Sequence, residues 1–94
     1  MADSAKQSPI SVALADGNPL MLSALSDLIE RDPRFTLVAT LTSAEALLDM
    51  TARLPTALGV VDWALPAIGG ERLLETLRGR PNAPRMLVYG PEGD

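Results

Sequence analysis

The stretch GVVDWALPAIGG, from Gly59 to Gly70, carries the clearest structural signal in this sequence. An apolar run, Gly59 to Val61, ends in the carboxylate of Asp62, and a segment rich in proline and glycine follows it. Short apolar runs bounded by turn residues are typical of strands buried inside a sheet. Because an ionised carboxylate loses solvation at the end of such a strand, the position of Asp62 favours a chemical role over a purely structural cap.

The sequence on either side alternates apolar runs with segments of helical periodicity. The predicted strands are residues 10–15, 35–41, 57–61 and 85–90, and the predicted helices are about 20–31, a segment ending near 53, and 70–80. A β-α-β-α-β-α-β order predicts a parallel sheet with right-handed crossovers. The strands are apolar throughout instead of alternating, so we expect helices to bury both faces of the sheet.

Two helix starts have sequence signals of their own. Asn18 is predicted to cap the first helix, with Pro19 at the first helical position, where a missing N–H costs nothing. Thr42 and Glu45 have the spacing of a capping box, which predicts reciprocal side-chain bonds at the start of the second helix.

Composition limits the classes of function that this chain can have. Its 94 residues suffice for one domain, which we place at residues 10–94 behind a flexible tail of residues 1–9. Eight basic and 12 acidic residues give a net charge of -4, which argues against direct contact with nucleic acid or a membrane surface. The sequence has no cysteine or histidine, which excludes disulfides, Cys/His zinc sites and histidine acid–base chemistry. Without an apolar leader or spanning segment, the expected location is the cytoplasm.

The candidate site residues are those that follow the strands. In open α/β sheets, ligands bind beyond the carboxyl ends of the strands. At or just after those ends this sequence has Asp16, Thr40, Thr42, Asp62, Tyr89 and Gly90. If the first and third strands are neighbours, Asp16 and Asp62 face each other. Such a pair could bind Mg²⁺, could include a nucleophile that forms an acyl phosphate, or could divide acid and base roles. Asp16 is equally compatible with a purely structural turn, and Trp63 and Tyr89 with either the core or the site.

Two motifs at their present separation resemble a known family. ADGNPLM (residues 15–21) after the first strand and DWALPAIGGERLL (residues 62–74) after the third look like the receiver domain of two-component response regulators, of the NarL/LuxR type. The family pattern Asp-x-x-Met-Pro-x-x-Asp/Asn-Gly is matched by Asp62, Pro66 and Gly70, and Pro19 matches the proline of the first motif. The resemblance covers residues 10–90.

The resemblance implies a flavodoxin-like (CheY-like), doubly wound parallel sheet with strand order 2-1-3-4. It further implies that Asp62 accepts a phosphoryl group from a histidine kinase, and that Asp16, Asp62 and the backbone carbonyl of Ala64 hold Mg²⁺. Such a module is not itself an enzyme. It can form homodimers, and it reaches DNA only through a separate C-terminal helix-turn-helix.

The sequence departs from the family pattern at three polar positions. Gly17 stands at the second acidic position, which implies weak Mg²⁺ binding, and Gly90 stands at the position of the switch Thr or Ser. The family's lysine follows a fifth strand, whereas the single lysine here is Lys6. We expect the fifth strand and the last two helices of a receiver to be missing, either because the chain is a fragment of a longer regulator or because it is a shortened one. If it is the whole protein, the unpaired edge of the fourth strand is expected to favour self-association.

Three functions are therefore compatible with the sequence. The first is a phosphoacceptor receiver switched at Asp62. The second is a degenerate receiver that acts as a protein-interaction module without phosphorylation. The third, a small Mg²⁺-dependent phosphohydrolase with Asp62 as nucleophile, is disfavoured because the sequence offers no general acid or base and no recognisable substrate pocket.

Overall fold

Four parallel strands and three helices alternate along the chain. The computed structural model describes residues 9–65 and 69–90, and of residues 69–71 it describes the backbone. The strands are β1 (Ile10–Ala15), β2 (Phe35–Leu41), β3 (Leu58–Asp62) and β4 (Arg85–Tyr89), and the helices are α1 (Pro19–Glu30), α2 (Ala44–Arg53) and α3 (Gly69–Arg78). The sheet order is β2-β1-β3-β4, which confirms the predicted doubly wound arrangement. The predicted tail, apart from Pro9, and Pro66 lie outside the described residues.

The two faces of the sheet have separate apolar clusters, because alternate residues of β1 point to opposite faces. On one face, Ala13 and Ala15 lie in the larger cluster, with buried residues of α2, β3 and α3 and with Leu65. On the other face, Val12 and Leu14 contact Leu22 of α1. β1 lies between two strands and under helices on both faces, so its last four residues are almost completely buried, as its apolar sequence predicts.

The sequence predicts that the third strand is also buried on both faces of the sheet. This prediction is wrong for one of the two faces. Gly59 and Val61 are buried, whereas Leu58 and Val60 are half-buried. The reason is the position of α1, which packs mainly on β1 and β2, so that the described residues cover the β3–β4 half of this face only in part. On the same face of β4, Leu87 is 57% exposed.

The two predicted helix starts have different outcomes. Asn18 caps α1 as predicted, since its Oδ1 accepts from the amide of Leu20 at 2.9 Å and Pro19 is the first helical residue. The predicted capping box is wrong, because α2 begins one residue later than the box requires. Ser43 is the cap, accepting from the amide of Ala46 at 3.2 Å, and Glu45 is then the second helical residue instead of the third.

Candidate functional site

The candidate site is a cleft at the carboxyl ends of β1, β3 and β4. It has a volume of about 380 Å³, and its lining residues are Asp16, Asn18, Met21, Asp62, Tyr89 and Gly90. The chain runs from β1 to β2 on one side and later returns to β3 on the other, so the strand order reverses between β1 and β3. Such a reversal opens a crevice above the sheet, where ligands bind in folds of this kind.

Asp16 lies directly after β1 and is only 4% exposed. Its Oδ1 accepts from the amide of Asn18 at 2.7 Å, and its Oδ2 accepts from the hydroxyl of Tyr89. The bond to the Asn18 amide closes the turn after β1, which is the structural role that the sequence left open for Asp16. It also fixes the orientation of the carboxylate, so Asp16 has a structural role and lines the cleft as well.

Asp62 is the last residue of β3 and is half-buried. Its Oδ1 accepts from the amide of Ala64 at 3.2 Å, and its backbone carbonyl accepts from the amide of Leu65 at 3.1 Å. These two bonds hold the start of the β3–α3 loop in a tight turn and leave the side chain on the cleft wall. The structure therefore brings Asp16 and Asp62 into one cleft, and the turn that contains Ala64 begins at Asp62.

Tyr89 ends β4 as the register partner of Asp62, so both side chains lie on the same face of the sheet. Burial raises the pKa of the Tyr89 phenol well above its usual value, and the hydrogen bond to Asp16 and the charges of Asp16 and Asp62 act in the same direction. The hydroxyl thus keeps its proton and acts as the donor. The sequence left Tyr89 between core and site, and the structure places it in the site.

Trp63 and Gly90 lie against each other next to Asp62. The amide of Trp63 donates to the carbonyl of Tyr89 at 2.6 Å, which draws the loop after β3 against the end of β4. A Cβ atom built on Gly90 would lie 2.8 Å from Cβ of Trp63, closer than real Cβ contacts come. The position where the family has a switch hydroxyl is therefore closed to any side chain while Trp63 keeps its place.

Sequence reasoning both missed a residue of the cleft and named two that do not line it. Met21 lines the cleft from the first turn of α1, and the signal available was its place in a helix that begins three residues after Asp16. Thr40, near the end of β2, and Thr42, directly after it, are not part of the lining. β2 is the edge strand beyond β1, so its end is one strand further from Asp62.

The cleft offers the carboxylates of Asp16 and Asp62, the kind of donor that Mg²⁺ prefers, whereas Ala64 is not among its lining residues. Among the side chains that the structure describes, in residues 9–65 and 72–90, no three acidic, histidine or cysteine groups come together as a metal-binding group. Two carboxylates and water thus fit Mg²⁺ in chemical type, with fewer charges than a tight site has.

The described helices, which lie in residues 9–65 and 69–90, include none that is long and apolar enough to cross a bilayer.

Known regulatory proteins are similar to this chain in sequence. No protein-family model matches the chain. It is 32% identical over 85 residues to the probable transcriptional regulatory protein SgaR of Hyphomicrobium methylovorum, a match that covers 90% of this chain and 40% of SgaR. It is 25% identical over 83 residues to the nitrate/nitrite response regulator NarL of Escherichia coli, covering 88% of this chain and 38% of NarL. The chain thus spans well under half the length of these relatives.

The fold has close counterparts among solved structures. The signal receiver domain of a NarL protein from Mycobacterium tuberculosis superposes with a TM-score of 0.86 at 15% identity, covering 92% of this chain and 69% of that one. At this identity the likeness concerns the fold alone. Taken with the strand order β2-β1-β3-β4, it leads to one conclusion: the chain has the fold of a receiver domain and is similar in sequence to response and transcriptional regulators such as NarL and SgaR.

Proposed function

We propose that this chain is the phosphoacceptor module of a two-component phosphorelay and that Asp62 takes the phosphoryl group from a histidine kinase. The observation that carries the proposal is the position of Asp62 at the carboxyl end of β3, on the wall of a cleft that Asp16 also lines. The relatives are response and transcriptional regulators, which supports a role in cytoplasmic signalling. The proposed partners are a histidine kinase and a second copy of the chain. With a net charge of -4, this chain would leave DNA contact to a separate domain.

The reaction that we propose is an in-line displacement at phosphorus. An oxygen of the Asp62 carboxylate forms a bond to the phosphorus of a phosphohistidine, and the bond between phosphorus and the imidazole nitrogen breaks. The electron pair of that bond stays on the nitrogen, and the product on this chain is an acyl phosphate. Catalysis of such a transfer consists mainly of positioning and charge neutralisation.

The residues of the cleft would divide these tasks. The Ala64 amide, 3.2 Å from Asp62 Oδ1, orients the carboxylate for attack. Asp16, Asp62 and the Ala64 carbonyl would hold Mg²⁺, whose charge would neutralise phosphoryl oxygens during transfer. Gly17 contributes no side chain to this set, so we expect weak Mg²⁺ binding.

A second candidate function is a protein-interaction module that works without phosphorylation. Two contacts favour it: Trp63 fills the space beside Gly90, and the Tyr89 hydroxyl is bonded to Asp16. In such a module the fold would present a surface to a partner, and Asp62 would stay unmodified.

The test of the proposed function is chemical modification of the whole chain. Incubation with Mg²⁺ and acetyl phosphate is expected to add the mass of one phosphoryl group, and Asp62→Asn is expected to abolish the addition because the amide is not a nucleophile at this position. Asp16→Asn should slow the reaction without abolishing it. Asp49→Asn is the matched control, since Asp49 is exposed on α2 in an ion pair with Arg53 and should react like wild type.

The outcomes separate the candidate functions. If the wild-type chain accepts no phosphoryl group and does not bind beryllofluoride, a mimic of that group, the phosphoacceptor function is contradicted. The interaction module is then the remaining candidate. Equal modification of Asp62→Asn and wild type would assign the nucleophile elsewhere. Steady release of phosphate from a stable phosphate ester, lost in Asp62→Asn, would instead support the phosphohydrolase.

A further inference from the structure

We propose that Tyr89 is an internal competitor for the cation site: in the metal-free chain its hydroxyl occupies the Asp16 carboxylate, and Mg²⁺ binds only by displacing it. The inference rests on the proposed function in one respect, the assignment of Asp16 as a cation ligand. It concerns a residue outside the acidic positions and gives Tyr89 control over the affinity of the site.

The geometry of Asp16 is the first support. Both of its carboxylate oxygens already have a hydrogen-bond donor, the Asn18 amide on Oδ1 and the Tyr89 hydroxyl on Oδ2. The Asn18 donor is a backbone group held in the turn after β1 and cannot leave without opening that turn. The Tyr89 donor is a side chain that rotation about its Cα–Cβ bond can remove.

The competition follows from charge and burial. A hydroxyl proton and a cation both approach the electron pairs of a carboxylate oxygen, and their positive charges repel each other. Asp16 is only 4% exposed, so few water molecules reach it and most of its stabilisation comes from these two donors. A cation therefore has to replace the contribution of the Tyr89 hydroxyl before it gains a ligand.

The position of Tyr89 suits this role. It is the register partner of Asp62 across the β3–β4 pair, so its ring reaches over the end of β3 to the residue that follows β1. The cleft that Asp16, Asp62 and Tyr89 share has a volume of about 380 Å³, which leaves space for the displaced ring. The structure thus allows both arrangements, with the hydroxyl on Asp16 or away from it.

The experiment is a titration of the whole chain with Mg²⁺. Calorimetry and the fluorescence of Trp63, the one tryptophan, measure the binding. Tyr89→Phe removes the hydroxyl and keeps the ring, and we expect it to bind Mg²⁺ about tenfold more tightly, since a hydrogen bond to a charged group no longer has to be broken. Thr51→Val is the matched control, because the Thr51 hydroxyl is half-buried and bonds to carbonyls of its own helix. It should bind Mg²⁺ like wild type.

A second measurement needs no change at Tyr89. Because Tyr89 is the single tyrosine, its ring resonances in NMR spectra report its position directly. Saturating Mg²⁺ should shift them in the wild-type chain, and Asp16→Asn should abolish the shift. This readout also covers the case in which Tyr89→Phe fails to fold.

Several results would overturn the inference. Equal or weaker Mg²⁺ binding by Tyr89→Phe, or ring resonances that Mg²⁺ leaves unchanged, would reduce Tyr89 to a purely structural donor. Absence of Mg²⁺ binding by both chains would remove the competition together with the cation role of Asp16. Failure of the proposed function alone would give a different pattern. Tyr89→Phe would still bind Mg²⁺ more tightly than wild type, but acetyl phosphate would leave Asp62 unmodified.

Discussion

Leu47→Ala is expected to lower the free energy of unfolding by about 3 kcal/mol, because the truncation leaves a cavity in a close-packed core. Leu47 is completely buried on α2, in the cluster that joins that helix to β1, β3 and α3. The total stability of a small domain is on the order of 5–15 kcal/mol, so this loss is a large part of it. Urea unfolding followed by circular dichroism measures the change.

Leu20→Ala is the matched control for this prediction. Leu20 lies in the first turn of α1 and is 80% exposed, so the same truncation should change stability by no more than about 0.5 kcal/mol. Similar costs at the two positions would mean that α2 does not pack on the sheet in the way described.

Gly90→Ser has the second large expected effect, and it runs against a simple expectation from the family. The substitution supplies the hydroxyl of the switch position, yet its Cβ would lie 2.8 Å from Cβ of Trp63. Either the loop after β3 or the end of β4 has to move. Strain of this kind costs about 1 to 3 kcal/mol, which urea unfolding would detect.

A control and a rescue make this prediction specific. A Cβ on Gly79 meets no atom within 4 Å, so Gly79→Ser should be close to neutral. Trp63→Gly removes the clashing Cβ, whereas Trp63→Ala keeps it. Gly90→Ser should therefore cost much less in the Trp63→Gly background than in the Trp63→Ala background, and equal costs in both would contradict the contact.

The order of elements was predictable because local signals mark it. Observed strand limits differ from the predicted ones by at most one residue, as for β3, predicted at 57–61 and observed at Leu58–Asp62. Turn residues such as Asn18 and Pro19 end or begin elements through backbone geometry and hydrogen bonds that involve near neighbours only. The capping box failed by a single residue: Thr42 and Ser43 are both able to cap, and Ser43 is the residue that caps α2.

By itself, the sequence determined the alternation of strands and helices, and its two motifs placed Asp16 and Asp62 at strand ends. The tertiary structure decided which distant groups donate hydrogen bonds to those carboxylates. The Tyr89 hydroxyl reaches Asp16 only because the β3–β4 register pairs Tyr89 with Asp62. The contact of Trp63 with Gly90 and the half-covered face of β3 likewise depend on how distant elements pack. Contacts between residues far apart in sequence depend on register and helix placement, and local patterns carry no information about either.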